Sequence, residues 1–398
     1  MLPKEQSAEG AMQRILTLNA ISNAIYEYLP SACYTVSSSE EKPNAILVRS
    51  MDCRERALNE ELLAIARAGA GTNNIPIDRC TQAGVAVFNT PGANANAVKE
   101  LALCCMLLAS RNVMEGIAWA SQLTGPDIGI QVEQGKRQFI GHELYGKTLG
   151  VIGLGAIGVM VANDAHAIGM QVIGYDPFIS IEHAWGLSRA IQRANSLAEM
   201  LSRCDYITIH VPLMEKTRNY INDQVLSMIK PGAMLLNLAR GELVDTQAVL
   251  DALEAGRLSR YITDFPNEAL IGKKNVICVP HLGASTPESE ENCARMAARE
   301  LDQYLRYGNV ENSVNFPQCV LAPSGVCRIC ALHDNVTNMV GQITAVLAQA
   351  GCNIANMVNK SRGEIAYTLL DLDHALPADA LDCLRKIPGM KRVRSLQF

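Results

Sequence analysis

Short runs of β-branched and other apolar residues alternate with stretches of helical period along most of the chain. Near the start, residues 45–48 and 85–89 predict strands, and the run ELLAIARAG at residues 61–69 predicts a helix. A second series over residues 147–283 contains the strand-like runs TLGVIGL, QVIGYD, YITIHVP, AMLLNLA, RYITDF and NVICVP. Because crossover helices separate the strands of parallel sheets, this order predicts βα units wound on two sheets.

Two long helices and a small terminal domain complete the pattern. Residues 94–113 are apolar on more than one face, which predicts a helix buried between domains or subunits. Residues 288–306 predict a second helix, and the Pro- and Gly-containing segment 312–325 is typical of a linker. Residues 326–398 then follow a β-α-β-β-α-β order, which is typical of a ferredoxin-like domain.

We therefore predict an α/β chain with two doubly wound, Rossmann-like parallel-sheet domains and a C-terminal ferredoxin-like βαββαβ domain. The first domain is predicted to be discontinuous, because the chain returns to it after the second series of strands. The predicted boundaries are 1–93 with 285–316, then 94–284 for the second domain, 317–325 for the linker and 326–398 for the last domain.

Composition narrows the class of protein. The chain has 398 residues, of which 48% are hydrophobic and 19% charged, and its net charge is −5. These values are typical of a globular protein and argue against a nucleic-acid partner, which usually requires a basic surface. No apolar run reaches the roughly 18 residues of a membrane helix, and no apolar secretion signal is evident. We expect a cytoplasmic protein with no membrane partner.

The cysteines fit the same expectation. Thirteen of them are scattered through mostly apolar stretches, which predicts reduced thiols rather than a disulfide framework. Cys327 and Cys330 form a CxxC sequence, for which a redox or zinc role is the alternative interpretation. No second Cys or His pair lies at zinc spacing, so we predict no metal site.

A glycine motif in the second domain predicts dinucleotide binding. Gly153, Gly155 and Gly158 form a GxGxxG that follows a strand-like run and opens a helical one, and Asp176 ends the next strand. The first glycine permits a tight turn, the second admits a pyrophosphate and the third lets the helix pack on the strand. Asp176 would accept hydrogen bonds from the ribose hydroxyls and would repel a 2′-phosphate, so we predict NAD rather than NADP. A Rossmann-like sheet without nucleotide is the alternative.

Three polar residues follow strand-like runs in the same domain, where open α/β sheets place their ligands. They are Arg240, Glu268 and His281. Singly, each is more simply a solvated loop residue. Together they match hydride transfer from a 2-hydroxy acid: Arg240 binds a carboxylate, His281 acts as acid and base, and Glu268 orients and tunes the imidazole.

At these motifs the chain resembles the D-isomer-specific 2-hydroxyacid dehydrogenases, most specifically over residues 148–158, 237–245 and 275–286. Within that family it is similar to members that oxidise 3-phospho-D-glycerate and carry a C-terminal ACT domain. The resemblance implies that Arg240, Glu268 and His281 form the catalytic set. It also implies further NAD contacts at Ala156, Ile157, His210, Val211, Pro212, Thr217, Leu238, Ala239, Asp264, Gly283 and Ala284.

The resemblance also implies ligand contacts elsewhere. A phosphorylated substrate would meet Arg49, Ser50, Ala70 and Gly71, in addition to Arg240 and His281. The ACT-like domain would bind L-serine as an inhibitor, through His333, Asn335 and Asn353. The alternative is an ACT-like domain that only supports assembly. In either case we expect a homo-oligomer, a dimer or a tetramer.

Other functions stay open at this point. The nearest is another D-2-hydroxyacid dehydrogenase, acting on glyoxylate, lactate or phosphoerythronate. Two others are a non-catalytic NAD-sensing protein similar to corepressors of this fold, and an amino-acid sensor with a vestigial dehydrogenase half. Arg49 and the ACT-like terminal domain favour the phosphorylated acid over these.

Overall fold

The structure, a computed structural model, describes residues 12–398 and divides the chain into two compact units. One unit contains the residues up to Ala93 together with Glu290–Phe398, and the other contains Asn94–Ser289. The first unit therefore combines both ends of the chain, whereas the second is continuous.

The N-terminal part of the first unit is a five-stranded parallel sheet. Its strands lie in the order β2-β1-β3-β4-β5, with one α-helix before the last strand. The elements are β1 Gln13–Leu18, β2 Tyr34–Ser37, β3 Ala45–Val48, β4 Ala64–Arg67, α1 Ile77–Gln82 and β5 Ala86–Phe88. Every residue of β3 and of β5 is buried, which explains the unbroken apolar sequences of these two strands.

The second unit begins with three helices, α2 Ala95–Arg111, α3 Val113–Ala120 and α4 Ile128–Gly135. A seven-stranded parallel sheet follows, in the order β12-β11-β10-β9-β6-β7-β8. Its elements are β6 Thr148–Ile152, α5 Ala156–Ala167, β7 Gln171–Tyr175, α6 Ile181–Gly186, β8 Gln192–Arg193, α7 Leu197–Leu201, β9 Tyr206–Ile209, α8 Asp223–Ser227, β10 Ala233–Asn237, α9 Thr246–Glu254, β11 Leu258–Thr263 and β12 Val276–Cys278. The strand order reverses between β6 and β9, and such a switch point is where open α/β sheets bind ligands.

Helix α10, Pro287–Tyr307, leads to the C-terminal sheet. This antiparallel sheet has the order β14-β15-β13-β16 and carries two helices. Its elements are β13 Cys327–Asp334, α11 Met339–Gln349, β14 Ile354–Arg362, β15 Ile365–Leu372, α12 Ala378–Arg385 and β16 Met390–Gln397.

The C-terminal sheet contributes to two apolar cores. On one face, Ile329 and Leu370 pack with the helices α11 and α12. On the other, Tyr367 joins a cluster that includes Phe88 of the first sheet and Tyr304 of α10. The first unit is thus held together by apolar burial shared between its N-terminal and C-terminal sheets.

The predicted fold class is confirmed: two parallel α/β sheets precede a small antiparallel βαββαβ sheet. The prediction of a helix at residues 61–69 is wrong, because residues 64–67 of this run form strand β4. A short apolar run has no decisive period, and pairing with both β3 and β5 at the centre of the sheet settles its conformation.

Among residues 12–398, no single helix combines the length and apolar composition needed to cross a bilayer. One pair, α2 with α3, passes that test only when its two helices are taken together, and it is bent by 66°.

Candidate active site

The glycine turn after β6 has the geometry that its sequence predicts. Gly153 has a φ of 89°, and a Cβ there would lie 2.8 Å from the His210 carbonyl. A Cβ on Gly158 would lie 1.9 Å from the Gly153 carbonyl oxygen. A Cβ on Gly155 would meet nothing within 4 Å. Packing therefore requires the first and third glycines, whereas the second leaves the backbone open at the start of α5, where Ala156 and Ile157 lie.

Asp176 connects this turn to the end of β7. Its carboxylate accepts hydrogen bonds from the Leu154 and Phe178 main-chain N–H groups, both at 2.8 Å. The side chain is partly exposed. Because each carboxylate oxygen can accept more than one hydrogen bond, Asp176 can brace the turn and still accept a ligand hydroxyl.

His210 follows β9, the strand next to β6. Its Nε2 lies 2.9 Å from the Thr208 hydroxyl, whereas its buried Nδ1 has no hydrogen-bond partner among residues 12–398. Burial lowers the pKa of His210 to about 4, so its ring is neutral near pH 7. An unpartnered nitrogen at a ligand-binding edge is a position that a ligand polar group can satisfy.

The following residues Val211, Pro212 and Thr217 form a turn in which the Thr217 hydroxyl donates to the Pro212 carbonyl at 2.7 Å.

The turn after β10 is shaped by Asn237, which sequence reasoning did not single out. Its fully buried amide donates to the Arg240 carbonyl at 2.8 Å and accepts from the Ala239 N–H at 3.2 Å. These two hydrogen bonds fix the main chain between the strand and the turn, where Leu238 is buried and Ala239 is partly exposed. Within the described residues, the Arg240 guanidinium makes one hydrogen bond, to the Ala239 carbonyl at 2.6 Å. Most of its donors are therefore open to a ligand.

Asp264, at the end of β11, holds the loop that carries His281. Its buried carboxylate accepts hydrogen bonds from the Leu282 and Gly283 N–H groups at 2.7 and 2.8 Å. Ala284 is the next residue of this loop. Burial raises the pKa of Asp264, and these hydrogen bonds and His281 oppose the rise. His281 itself has a φ of 56°, a strained value for a residue with a Cβ. The loop is thus fixed by its main chain while the imidazole stays exposed.

The three residues proposed from sequence as a catalytic set follow adjacent strands. Arg240 follows β10, Glu268 follows β11 and His281 follows β12, and these strands are neighbours in the sheet. The His281 ring lies 4.9 Å from the ring of Phe265, a residue that sequence reasoning missed. Glu268 is exposed, and no hydrogen bond or ion pair within residues 12–398 joins it to His281. The structure therefore places them at one sheet edge without forming the Glu–His contact.

The residues predicted to bind substrate phosphate and carboxylate lie in the first unit, at the ends of β3 and β4. Arg49 forms a 2.6 Å ion pair with Glu290, in the first turns of α10. Arg67 donates to the carbonyls of Arg49 and Gly71 at 3.0 and 2.6 Å. Ala70 accepts from the Asn89 amide, and the Ser50 N–H donates to Asn19 at 3.0 Å. Glu290 had no sequence motif to mark it.

The predicted effector residues in the C-terminal sheet are placed differently. His333 is buried, with Nδ1 2.8 Å from the Asp334 carbonyl and Nε2 2.8 Å from the Thr368 hydroxyl. Both ring nitrogens are therefore engaged inside the sheet. Asn335 and Asn353 are exposed, and the Asn335 amide donates to the Gly363 carbonyl at 3.2 Å.

These features fit an NAD cofactor. The glycine turn presents open backbone at a helix N-terminus, which is where dinucleotides place their pyrophosphate. Asp176 offers carboxylate oxygens for ribose hydroxyls, and the buried Nδ1 of His210 is a polar atom that still needs a partner. When bound, NAD would supply the hydride acceptor, and the chain would supply binding, orientation and proton transfer.

Comparison with known proteins gives the family. A family model described as "D-isomer specific 2-hydroxyacid dehydrogenase, NAD binding domain" matches residues 103–283. D-3-phosphoglycerate dehydrogenase of Haemophilus influenzae is 34% identical over 354 residues, covering 84% of this chain and 82% of that one. The Methanocaldococcus jannaschii protein of the same name is 36% identical over 319 residues, and the match spans 79% of this chain but only 58% of that protein.

A solved structure agrees with these matches. NAD+-bound 3-phosphoglycerate dehydrogenase from Entamoeba histolytica is similar with a TM-score of 0.59 and 27% identity, covering 77% of this chain and 99% of that one. The chain belongs to the D-isomer-specific 2-hydroxyacid dehydrogenases. It is an NAD-dependent oxidoreductase of that family, whose substrates are small 2-hydroxy acids, and the prediction of NAD as cofactor is confirmed.

Proposed function

We propose that the chain oxidises 3-phospho-D-glycerate to 3-phosphooxypyruvate with NAD, the first step of L-serine synthesis. The observation that carries the proposal is the placement of Arg240, Glu268 and His281 after three neighbouring strands, on the sheet that bears the glycine turn. The names of the relatives over most of the chain favour this substrate within the family.

Each catalytic residue has a role that its surroundings support. His281 accepts the proton of the substrate 2-hydroxyl group, and NAD, when bound, would supply the hydride acceptor for C2. The exposed ring of His281 on a main-chain-anchored loop suits this role, because an acid/base group must reach its substrate. Arg240 binds the substrate carboxylate with its open guanidinium donors. Glu268 moves toward His281 and stabilises the imidazolium when substrate binds.

The cofactor contacts proposed are those of the glycine turn and the neighbouring loops. Gly153, Gly155, Ala156, Ile157 and Gly158 would receive the pyrophosphate, and Asp176 the adenosine ribose. The remaining contacts are proposed at His210, Val211, Pro212, Thr217, Leu238, Ala239, Asp264, Gly283 and Ala284.

The phosphate of the substrate is assigned to Arg49. Its guanidinium is paired with Glu290 at 2.6 Å, and both side chains are partly exposed. A dianionic phosphate competes well with one carboxylate for an Arg fork, because it offers more acceptor oxygens and more charge. Ala70 and Gly71 would bind the substrate through their main-chain N–H groups, and Ser50 through its side chain.

We also propose a regulated, cytoplasmic homo-oligomer, a dimer or a tetramer. L-serine is the expected effector of the C-terminal domain, with Asn335 and Asn353 as its exposed amide ligands. The internal hydrogen bonds of His333 argue that this residue acts through the shape of the loop rather than by touching serine. Equal activity with and without millimolar serine would count against feedback.

The test is NADH formation with a panel of acids: 3-phospho-D-glycerate, D-glycerate, D-lactate, glycolate and 4-phospho-D-erythronate. We expect 3-phospho-D-glycerate to give the highest kcat/KM, and His281→Asn to lower kcat by about 100-fold or more. His166→Asn, an exposed histidine on α5, is the matched control and should leave kcat unchanged.

The panel also separates the alternatives. If an unphosphorylated acid or phosphoerythronate is preferred, the chain is another 2-hydroxyacid dehydrogenase and the substrate assignment fails. If no acid gives turnover although NAD binds, the chain is an NAD-sensing protein. If L-serine binds but neither turnover nor NAD binding is found, the dehydrogenase half is vestigial.

A further inference from the structure

A cysteine, a histidine and an aspartate meet at one end of the C-terminal sheet. Cys352 lies in the loop between α11 and β14, and Asp373 and His374 lie in the loop after β15. The Cys352 Sγ is 3.3 Å from the His374 Nε2, and the His374 Nδ1 is 2.7 Å from the Asp373 Oδ1. A nucleophile, a base within hydrogen-bond reach and a carboxylate that orients the base are the parts of an activated thiol.

The two loops hold this arrangement through their main chains. The Asn353 N–H donates to the Asp373 carboxylate at 3.2 Å, and the Asp373 N–H donates to the Asn353 carbonyl at 3.3 Å. The Cys352 N–H donates to the Leu347 carbonyl at the end of α11. The Asp373 carboxylate accepts the Nδ1–H of His374, which leaves the lone pair on Nε2 facing the thiol.

The surroundings of Cys352 disfavour its thiolate, so its reaction depends on a base. Cys352 is 7% exposed, and its burial raises the pKa of the thiol, so free thiolate is scarce at neutral pH. Asp373 and Cys327, the nearby titratable groups besides His374, also disfavour a free thiolate. The His374 and Asp373 side chains are each about half exposed, so a reagent approaches from their side.

Metal binding is a weaker interpretation of the same residues. Over residues 12–398, no group of three or more His, Cys, Asp or Glu side chains is placed to hold a metal ion. The hydrogen bond between His374 and Asp373 also occupies the nitrogen that faces away from the thiol, which is the pattern of an oriented base.

We propose that Cys352 is a covalent modification site that undergoes thiol–disulfide exchange with small disulfides, with His374 as its base. The His374 Nε2 takes the Sγ proton, and the Cys352 sulfur attacks one sulfur of the disulfide. The disulfide S–S bond breaks as the Cys352–sulfur bond forms, and the departing thiolate takes the proton from His374. Cys352 is oxidised to a mixed disulfide, and one equivalent of the small thiol is released.

The adduct has a structural consequence. Cys352 belongs to the apolar cluster under α11 and α12, where Ile343 and Leu384 are fully buried. A group attached to its sulfur displaces that packing. We therefore expect the mixed disulfide to lower the Tm of the first unit, and reduction to restore it.

The test treats the full chain with 2-hydroxyethyl disulfide and follows the peptides that contain Cys352, Cys104 and Cys383 by mass spectrometry. The last two are exposed thiols and serve as internal controls. We expect His374→Ala to slow modification of Cys352 by about 10-fold or more, since a general base commonly contributes 100-fold or more, while the rates of both controls stay unchanged. Asp373→Asn, which keeps the side-chain volume, should give a smaller slowing.

The pH profile separates base catalysis from simple accessibility. With His374 present, modification of Cys352 should extend to lower pH than in His374→Ala, whose rate should follow ionisation of the thiol alone. Thermal unfolding of unmodified His374→Ala shows whether the variant is folded. If Cys352 stays unmodified while Cys383 reacts fully, or if its rate and profile are the same in folded His374→Ala, the proposal is overturned.

Discussion

The cofactor edge of the Asn94–Ser289 unit and the C-terminal sheet use the same kinds of polar residue in opposite ways. At the cofactor edge, polar atoms have few partners in the part of the chain that the structure describes: the His210 Nδ1 has none there, and the Arg240 guanidinium makes one hydrogen bond. In the C-terminal sheet, His333 has both ring nitrogens engaged. An Arg or a His near the end of a strand therefore serves a ligand in one region and the fold in the other.

Arg328 shows the second use most fully. It lies on β13, is completely buried, and pairs with Asp371 of β15 through Nε and Nη2 at 2.6 and 2.8 Å. Its Nη1 donates to the carbonyls of Tyr307 and Leu321 at 2.8 and 2.9 Å. Every one of these bonds joins parts of one unit, so the guanidinium links α10 and the linker to the sheet.

This difference predicts where the cost of a substitution falls. Where polar groups are satisfied internally, removing one leaves its partner buried and unpaired, and the free energy of unfolding falls. Where they are open, or where they anchor a loop that carries an open polar group, removal costs mainly binding or turnover. The following substitutions test that division.

The largest effect is expected from Arg328→Met. Removing one partner of a buried ion pair costs about 3–5 kcal/mol, because the other charge stays buried without compensation. Thermal unfolding should show a Tm lower by roughly 10 °C, while NAD affinity measured below that temperature should be unchanged. Arg385→Met, which breaks an exposed pair with Asp382, is the matched control and should cost less than about 1 kcal/mol.

The double variant Arg328→Met with Asp371→Leu checks the cause. It removes both charges and should recover much of the lost Tm, since the penalty arises from the unpaired carboxylate. A loss in the double variant as large as in Arg328→Met would show that packing, not charge, explains the first result.

A smaller effect, and one on turnover, is expected from Asp264→Asn. The carboxylate accepts two N–H groups of the loop that carries His281, and an amide can accept only on its oxygen. One N–H then faces an NH2 group, and the loop loses its fixed position. We expect kcat to fall by about 10- to 100-fold, since a hydrogen bond to a charged group contributes about 1.5–3 kcal/mol. Asp251→Asn on α9 is the control, and an unchanged kcat in Asp264→Asn would contradict the role of this anchor.

A smaller effect, on NAD affinity, is expected from Gly155→Ala. A Cβ at this position meets no atom of the described residues within 4 Å, so the fold should be unaffected. If the pyrophosphate occupies that space, the Kd for NAD should rise by about 10-fold, which corresponds to about 1.4 kcal/mol. Gly158→Ala is the contrasting variant, because its Cβ would lie 1.9 Å from the Gly153 carbonyl oxygen and should lower the Tm. Equal NAD affinity in Gly155→Ala and the unchanged chain would place the pyrophosphate elsewhere.

The sequence specifies the local geometry of the glycine turn, whereas it does not specify the surroundings of the predicted substrate and effector residues, and the reason is physical. The glycine turn is local: its strand, helix and acid lie within one βαβ unit, so spacing alone determines their geometry. The pairs Arg49–Glu290 and Arg328–Asp371 join residues far apart in the chain, and only the folded unit brings them together. His333 matched a ligand pattern, but which groups face its ring nitrogens depends on the pairing of β13 with β15.

The smallest expected effect concerns two histidines, one in each region, whose pKa is lowered by burial. Burial lowers the pKa of His210 to about 4 and also lowers that of His333. The unfolded chain, with ordinary histidines near pH 6.5, takes up protons first as the pH falls. The stability contributed by each neutral ring is therefore complete above pH 6.5 and is lost as the pH falls toward the folded value, about 4 for His210.

Hydrogen exchange read by mass spectrometry can follow each unit separately. Replacing His210 with Gln should flatten the loss of protection between pH 6.5 and 4 in peptides of the Asn94–Ser289 unit and leave the β13 and β15 peptides unchanged. Saturating NAD should protect the first set of peptides against acid and not the second, because the unpartnered Nδ1 of His210 belongs to the cofactor edge. If His210→Gln leaves the pH dependence of both sets of peptides unchanged, burial does not keep the His210 ring neutral in the folded chain. The difference between the two regions is then contradicted at His210.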